Sequence, residues 1–237
     1  MNTALQKRFW KTVSVRQEAA GYGIYLDDKQ LKTPLKASLL APNMSVAEGI
    51  AAEWSAVEGK IDPSAMHLTR CANATLDNVV VEHSAVAGML AEYGATDLLC
   101  YRANGPKELV ARQADAWDPL LDWVSQKYGV TLIVTAGIMH VAQAKVGQEK
   151  LRTVVCAYDP WRLTALHDLV TISGSLVLGL AVATKHLSAE AVWPLSRIDE
   201  TWQEEQWGID EVASATAEVK RSDFVKAAKL MDLLDQA

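Results

Sequence analysis

The 237 residues suffice for one large or two ordinary domains with a sizeable core, and half of them are hydrophobic, which excludes a disordered chain. A formal net charge of -6 without any basic run excludes nucleic acid and anionic lipid surfaces as partners, since both are gripped through lysine and arginine. Cys71, Cys100 and Cys156 are odd in number and form no C-x-x-C pair, so they read as buried thiols of a reducing compartment.

Met1 to Lys11, M-N-T-A-L-Q-K-R-F-W-K, has neither the apolar core of a secretory signal nor an arginine- and serine-rich import presequence, and a mature cytosolic chain is expected. Strands are predicted over Lys11 to Val15, Gly21 to Leu26 and Gln30 to Thr33, with Asp27-Asp28-Lys29 as a polar turn and Pro34 as a stop. Pro42, Asn43 and Ser45 supply helix-start chemistry, and Val46, Ile50, Trp54 and Val57 recur at three-to-four spacing until Gly59 and Pro63 close the helix.

From Ala72 the helical period dominates. One stripe is Leu76, Val79, His83, Val86, Leu90 and Tyr93, ended by Gly94; the next is Leu109, Gln113, Ala116, Leu120, Val124 and Tyr128, ended by Gly129. Pro119 within the second stripe predicts a kink or a fresh start capped by Asp118. The β-branched run Val130 to Val141 reads as a strand returning to the first domain. Asp159-Pro160 opens a long apolar helix through Thr184. Its uncharged part, Leu169 to Thr184, falls short of the roughly 20 residues a bilayer requires, so a buried helix is expected and not a membrane insertion. Ser188 caps the next helix, which passes Pro194 and ends at Gly208, and Asp210 to Leu234 forms the last.

The fold class that results is an α+β amino-terminal domain followed by a larger all-α domain, multihelical in total. The first spans residues 1–70, with antiparallel strands, one helix and 130–141 as an added strand; the second spans 71–237.

Ser196 to Gly208, S-R-I-D-E-T-W-Q-E-E-Q-W-G, stands apart. Asp199, Glu200, Glu204, Glu205, Asp210 and Glu211 place six carboxylates within thirteen residues, and Glu200 and Glu204 lie one helical turn apart, where like charges repel. Trp202 and Trp207 sit among them, as large aromatics do on surfaces that another protein covers. A solvated acidic face with both tryptophans turned inward satisfies the same spacing.

No catalytic constellation accompanies it. The chain has no H-E-x-x-H, P-loop, G-x-G-x-x-G after a strand or G-x-S-x-G elbow, and His67, His83, His140, His167 and His186 lack a second ligand at metal spacing. His167 and Asp168 are neighbours on a helix and should point apart. The acids lack a calcium-type glycine loop, and Glu200 and Glu204 lack a sugar platform. No catalytic residue, metal or cofactor is therefore expected.

Several patches resemble one family, the assembly chaperones of the F-type ATP synthase catalytic head that handle its α subunit. They are R-F-W-K at Arg8 to Lys11, L-K-T-P at Leu31 to Pro34, A-E-W at Ala52 to Trp54 and I-D-P-S-A-M-H-L-T-R at Ile61 to Arg70. The series continues with D-L-L-C-Y-R-A at Asp97 to Ala103, Q-A-D-A-W-D-P-L-L-D-W at Gln113 to Trp123, G-S-L-V-L at Gly174 to Leu178, and the acidic segment. The resemblance implies an α/β domain before a helical one, no enzymatic activity, and a protein that holds unassembled α until β arrives.

It implies partner-binding roles for Asp199, Glu200, Gln203, Glu205 and Trp207, with Trp202 beside them; Glu205 is the first candidate for a client-contacting carboxylate and Glu200 the second. Glu204 stands where a less acidic residue is expected, and Asp27-Asp28 replaces the Asp-Gly the pattern favours, a change aspartate tolerates. Trp54 is expected in the core, Asp97 and Arg102 as a partly buried ion pair, and Trp117, Asp118 and Trp123 as either structural or partner contacts. The location implied is the bacterial cytoplasm, or the mitochondrial matrix for an organellar member without its presequence. The alternative is a small-molecule enzyme with a pocket between the domains, using Asp97, Arg102 or His167.

Overall fold

A computed structural model describes residues 7–236, so the first six residues of the Met1 to Lys11 stretch lie outside it. A small amino-terminal α+β part is followed by a mostly helical one, with ten α-helices among the described residues. Two compact units result: one runs to His83 and gains Pro160–Ala165 and the chain from Lys229 onward, and the other comprises Ser84–Asp159 and Leu166–Ala228.

In the first unit, β1 (Val13–Glu18) and β2 (Gly21–Leu26) form an antiparallel hairpin with Val13 opposite Leu26. The other edge of β2 carries β3 (Lys29–Gln30) and β4 (Leu40–Ala41). Period-two alternation turns Ile24 and Leu26 inward. The turn works without glycine because Asp27 takes a left-handed φ of 53°, and its carboxylate accepts from the N–H groups of Lys11 (3.0 Å) and Thr12 (2.9 Å).

Helix α1 (Met44–Ser55) packs on this sheet through Val46, Ala47 and Ile50. Asn43 caps it, its side-chain oxygen accepting from Val46 N–H at 2.9 Å while its amide donates to the carbonyls of Leu233 and Gln236. Trp54 is half-buried, meets Trp10 edge-on at 5.2 Å and donates its indole N–H to Thr69.

The single stripe expected from Leu76 to Tyr93 is divided. Helix α2 (His67–Ala74) runs into a π-turn over Thr75–Val79, and α3 (His83–Glu92) begins afresh after it. The wider turn inserts an extra residue, and Val80 and Val81 beyond it are exposed.

Helix α4 (Lys107–Tyr128) is continuous through Pro119 and ends at Gly129 with φ 64°. The expected fresh start capped by Asp118 does not occur: the helix runs unbroken through exposed Pro119, and Asp118 pairs with Arg102. The 130–141 segment does not return to the first sheet. Only β6 (Thr135–Ala136) is a strand, parallel to β5 (Tyr101–Arg102), because buried Val130 and Leu132 anchor the segment in the helical unit and Gln143 bonds both backbone groups of Ile133.

After α5 (Lys145–Cys156) the long apolar helix expected through Thr184 breaks into α6 (Pro160–Ser173) and α7 (Leu176–Ala183). Gly174 adopts φ 71°, and the Ser175 hydroxyl caps α7 by accepting from Leu178 N–H at 3.0 Å. Leu176 to Val182 are all buried, which accounts for a helix apolar on every side, and no helix among the described residues is long and apolar enough to cross a membrane. The helix expected from Ser188 to Gly208 also divides, after Pro194, into α8 (Ala189–Leu195) and α9 (Ile198–Trp207); α10 (Glu211–Asp235) ends the fold.

Candidate partner-binding surface

Helix α9 is held against α4 by a short polar ladder. On α4, Gln113 is fully buried; its amide nitrogen donates to Asp199 at 2.5 Å and its oxygen accepts from Ala103 N–H at 2.8 Å. Its neighbour Arg112 makes a two-pronged bond to Glu205, 2.9 Å at each oxygen, and its guanidinium lies 5.0 Å from the Trp202 ring centre. Trp117, one further turn along and 1% exposed, donates its indole N–H to the Leu195 carbonyl at 2.8 Å. It is a core residue.

These bonds remove the repulsion that six carboxylates suggested. Asp199 satisfies Gln113, Glu204 pairs with Arg197 at 3.2 Å, Glu205 with Arg112, and Asp210 caps α10 by accepting from Val212 and Ala213 N–H. Glu200 and Gln203 are exposed and have no partner among the described residues. Helical spacing places Glu200, Gln203 and Trp207 on one stripe, opposite buried Ile198, and Trp207 is 79% exposed. Trp202 is half-buried under Arg112, so the two tryptophans have different surroundings.

The hydrogen bonds from Arg112 hold the Glu205 carboxyl below the usual glutamate range and raise the guanidinium in turn. A depressed folded-state value means that the pairing is present above the ordinary glutamate pKa of about 4.3 and is lost as pH falls through the lowered value. Carbon-detected NMR titration should therefore place the Glu205 midpoint below that of a free glutamate, and Arg112→Ala should restore it. An unshifted midpoint in the parent chain would refute the bidentate pair.

The expected Asp97–Arg102 ion pair does not form. Asp97 is completely buried and accepts from the hydroxyl of Ser175 (2.7 Å) and the N–H groups of Val177 (3.0 Å) and Leu99 (3.1 Å). Burial pushes its carboxyl above the usual range against the pull of those donors. Arg102 instead donates to the Leu99 carbonyl and to Asp118, both at 2.8 Å, and covers Trp117 at 5.2 Å. The donors at the start of α7 outcompete a guanidinium for Asp97 because a helix N-terminus presents several oriented N–H groups at once.

Trp123 is half-buried and stacks on His186, with ring centres 4.5 Å apart and planes 12° from parallel. His167 and Asp168 do meet, Nδ1 to Oδ1 at 3.1 Å, contrary to the expectation for helix neighbours; both are partly exposed and reach around the helix side. Cys71 and Cys100 are buried as expected, with burial pushing the Cys100 thiol up to about 12, but Cys156 is exposed; Cys71 Sγ also lies 3.4 Å from His67 Nε2 one helical turn away, contrary to the expectation that no histidine has a second ligand at metal spacing.

Sequence reasoning missed Arg112, Gln113, Arg197 and Ser175. Arg112 and Glu205 lie 93 residues apart, beyond any helical spacing. The one available signal was the acid row itself, whose one-turn repulsion demands cations from another element.

The fold has known counterparts. The family described as ATP12 chaperone protein matches residues 7–125. The crystal structure of Atp12 from Paracoccus denitrificans is 45% identical, with 96% of this chain and 97% of that one covered and a TM-score of 0.92. The Atu1473 protein of Agrobacterium tumefaciens is 37% identical over 97% of this chain and 87% of its own, also at a TM-score of 0.92. The mitochondrial protein atp12 of Schizosaccharomyces pombe is 24% identical over 214 residues, 85% of this chain and 74% of the relative. The fold is thus that of a chaperone. The chain belongs to the ATP12 chaperone family, whose members here come from bacteria and from a mitochondrion.

Proposed function

We propose that the chain is a non-catalytic assembly chaperone that binds the unassembled α subunit of the F-type ATP synthase catalytic head, prevents its aggregation and hands it to β. The observation that carries this reading is the outward stripe of α9, where Glu200, Gln203 and 79%-exposed Trp207 stand free beside the Arg112–Glu205 pair, in a chain that matches Atp12 along 96% of its length. A subunit made for a permanent ring carries apolar interfaces of roughly 2,000 Å² or more, which aggregate when bare. A chaperone must cover such a surface and still release it. Charge mixed with aromatic contact gives specificity and fast encounter without the apolar area of the final interface.

Glu205 and Glu200 are assigned to client contact, with Gln203 and Trp207 beside them; Asp199 and Trp202 position the helix through Gln113 and Arg112. Trp54, Asp97, Arg102, Trp117, Asp118 and Trp123 are assigned to the scaffold. Of the groups the enzyme alternative would use, Asp97 and Arg102 are packed into buried structural bonds, and His167 sits partly exposed against Asp168. The working compartment is the bacterial cytoplasm, or the mitochondrial matrix for an organellar form.

The test is capture. The immobilised chain should retain the α subunit from cell extract and suppress the light scattering of α diluted from denaturant. Clean failure of both under several salt conditions would overturn the reading.

A further inference from the structure

Two bonds tie α4 directly to α9, and they differ in kind. The outer one, Arg112 to Glu205, lies between exposed side chains and contributes little to holding a helix. The inner one starts from Gln113, which is fully buried, and while its amide nitrogen meets Asp199 its oxygen is fixed by Ala103 N–H. Ala103 closes the D-L-L-C-Y-R-A segment, which is itself held in place. Arg102 Nε donates to the Leu99 carbonyl, and Leu99 N–H donates to Asp97, the same carboxylate that receives Val177 N–H at the start of α7. Hydrogen bonds to successive parts of this segment therefore connect the buried α7 with the first turn of α9. Asp199, Trp202 and Glu205 recur every three residues on the side of α9 that meets α4, so fixing Asp199 fixes the direction in which Glu200, Gln203 and Trp207 face. Only an amide suits this place: it donates to the acid on one side and accepts from the backbone on the other, which neither glutamate nor leucine does.

We propose that Gln113 is a positioning residue for client recognition: its bond to Asp199 sets the rotation and register of α9, and Asp199 acts on the client through that placement and not by touching it. The inference rests on the chaperone reading above. It also gives the D-L-L-C-Y-R-A segment a task, as the fixed point from which α9 is placed.

The experiment compares the parent chain with Gln113→Glu, Asp199→Asn and the two combined, measuring amide hydrogen exchange over α9 in the free chain and affinity for the isolated α subunit, with circular dichroism as a check on folding. Gln113→Glu removes the donor and sets two carboxylates against each other, so α9 should exchange faster and α should bind on the order of tenfold more weakly, as for one lost hydrogen bond to a charged group. Asp199→Asn keeps an oxygen that Gln113 can donate to and should stay within about twofold of the parent, since a single acid in a first helical turn contributes little by charge alone. The combined variant again sets one donor against one acceptor, with Ala103 N–H still met, and should recover both exchange and affinity. Parent-like exchange in Gln113→Glu overturns the assignment, as does faster exchange without loss of affinity. A loss in Asp199→Asn equal to that in Gln113→Glu overturns it by giving the Asp199 charge directly to the client. Should Gln113→Glu fail to fold, the combined variant decides: parent-like binding supports the assignment, and a variant that stays unfolded or weak overturns it. No binding of α by the parent chain overturns the chaperone reading, while exchange and its rescue still report the placement of α9.

Discussion

Glu205→Lys is expected to give a folded protein whose capture of the α subunit at low salt falls on the order of tenfold or more. The fold should survive because both partners of the pair are well exposed, Arg112 at 39% and Glu205 at 45%, and exposed ion pairs contribute little to stability. Binding should not survive, because the new ammonium faces Arg112 and reverses the sign of the field beside Trp202. The bidentate bond adds a question the acid row alone did not raise: whether the carboxylate meets the client or holds Arg112 over Trp202. Arg112→Ala separates the two. If Glu205 meets the client directly, freeing it should leave capture intact or improve it; if the pair positions Trp202, Arg112→Ala should lose capture as Glu205→Lys does. Capture unchanged in both variants would remove the pair from the site.

Asp97→Ala is expected to be the most destabilising of the substitutions considered, by about 3 kcal/mol, with a fall in the thermal midpoint of roughly 6 to 12 °C. The cost comes from what remains behind. Val177 N–H, Leu99 N–H and the Ser175 hydroxyl all point at the Asp97 carboxylate inside the protein, and alanine leaves them without an acceptor in a place water does not reach. Because Ser175 also caps α7, the loss spreads to that buried helix. Arg102→Ala should cost less, since Asp118, its ionic partner, is 59% exposed and returns to water. Equal effects at the two positions would contradict the separate roles the hydrogen bonds assign them.

Much of the architecture was legible in local chemistry. The strand from Gly21 to Leu26, the Asn43 cap, the Gly129 stop and the Ser188 cap each depend on residues within a few positions of one another, and each occurs. The breaks were harder. Pro119 is the strongest local breaker in α4 and interrupts nothing, whereas the helix expected through Thr184 breaks at Gly174-Ser175, where the decisive partner, Asp97, lies 78 residues earlier. Periodicity also missed the π-turn over Thr75–Val79, since one wide turn changes the phase of an apolar stripe without changing its composition. In the candidate site, the acids and tryptophans of α9 were identifiable as unusual, but the division among them was not.

The sequence by itself determined the α+β start and helical remainder, the absence among the described residues of a helix long and apolar enough to cross a membrane, and the concentration of acid and tryptophan between Ser196 and Glu211. Those properties follow from propensity, capping and spacing, which act over one or two turns. Tertiary structure alone decided which carboxylates are spent within the molecule. Asp199, Glu204 and Glu205 each meet a nitrogen donor, two of them from α4, while Glu200 and Gln203 are left facing solvent beside Trp207. Like charges crowded on one helix are tolerable only when another element brings cations and donors to them, and a linear pattern cannot state where that element lies.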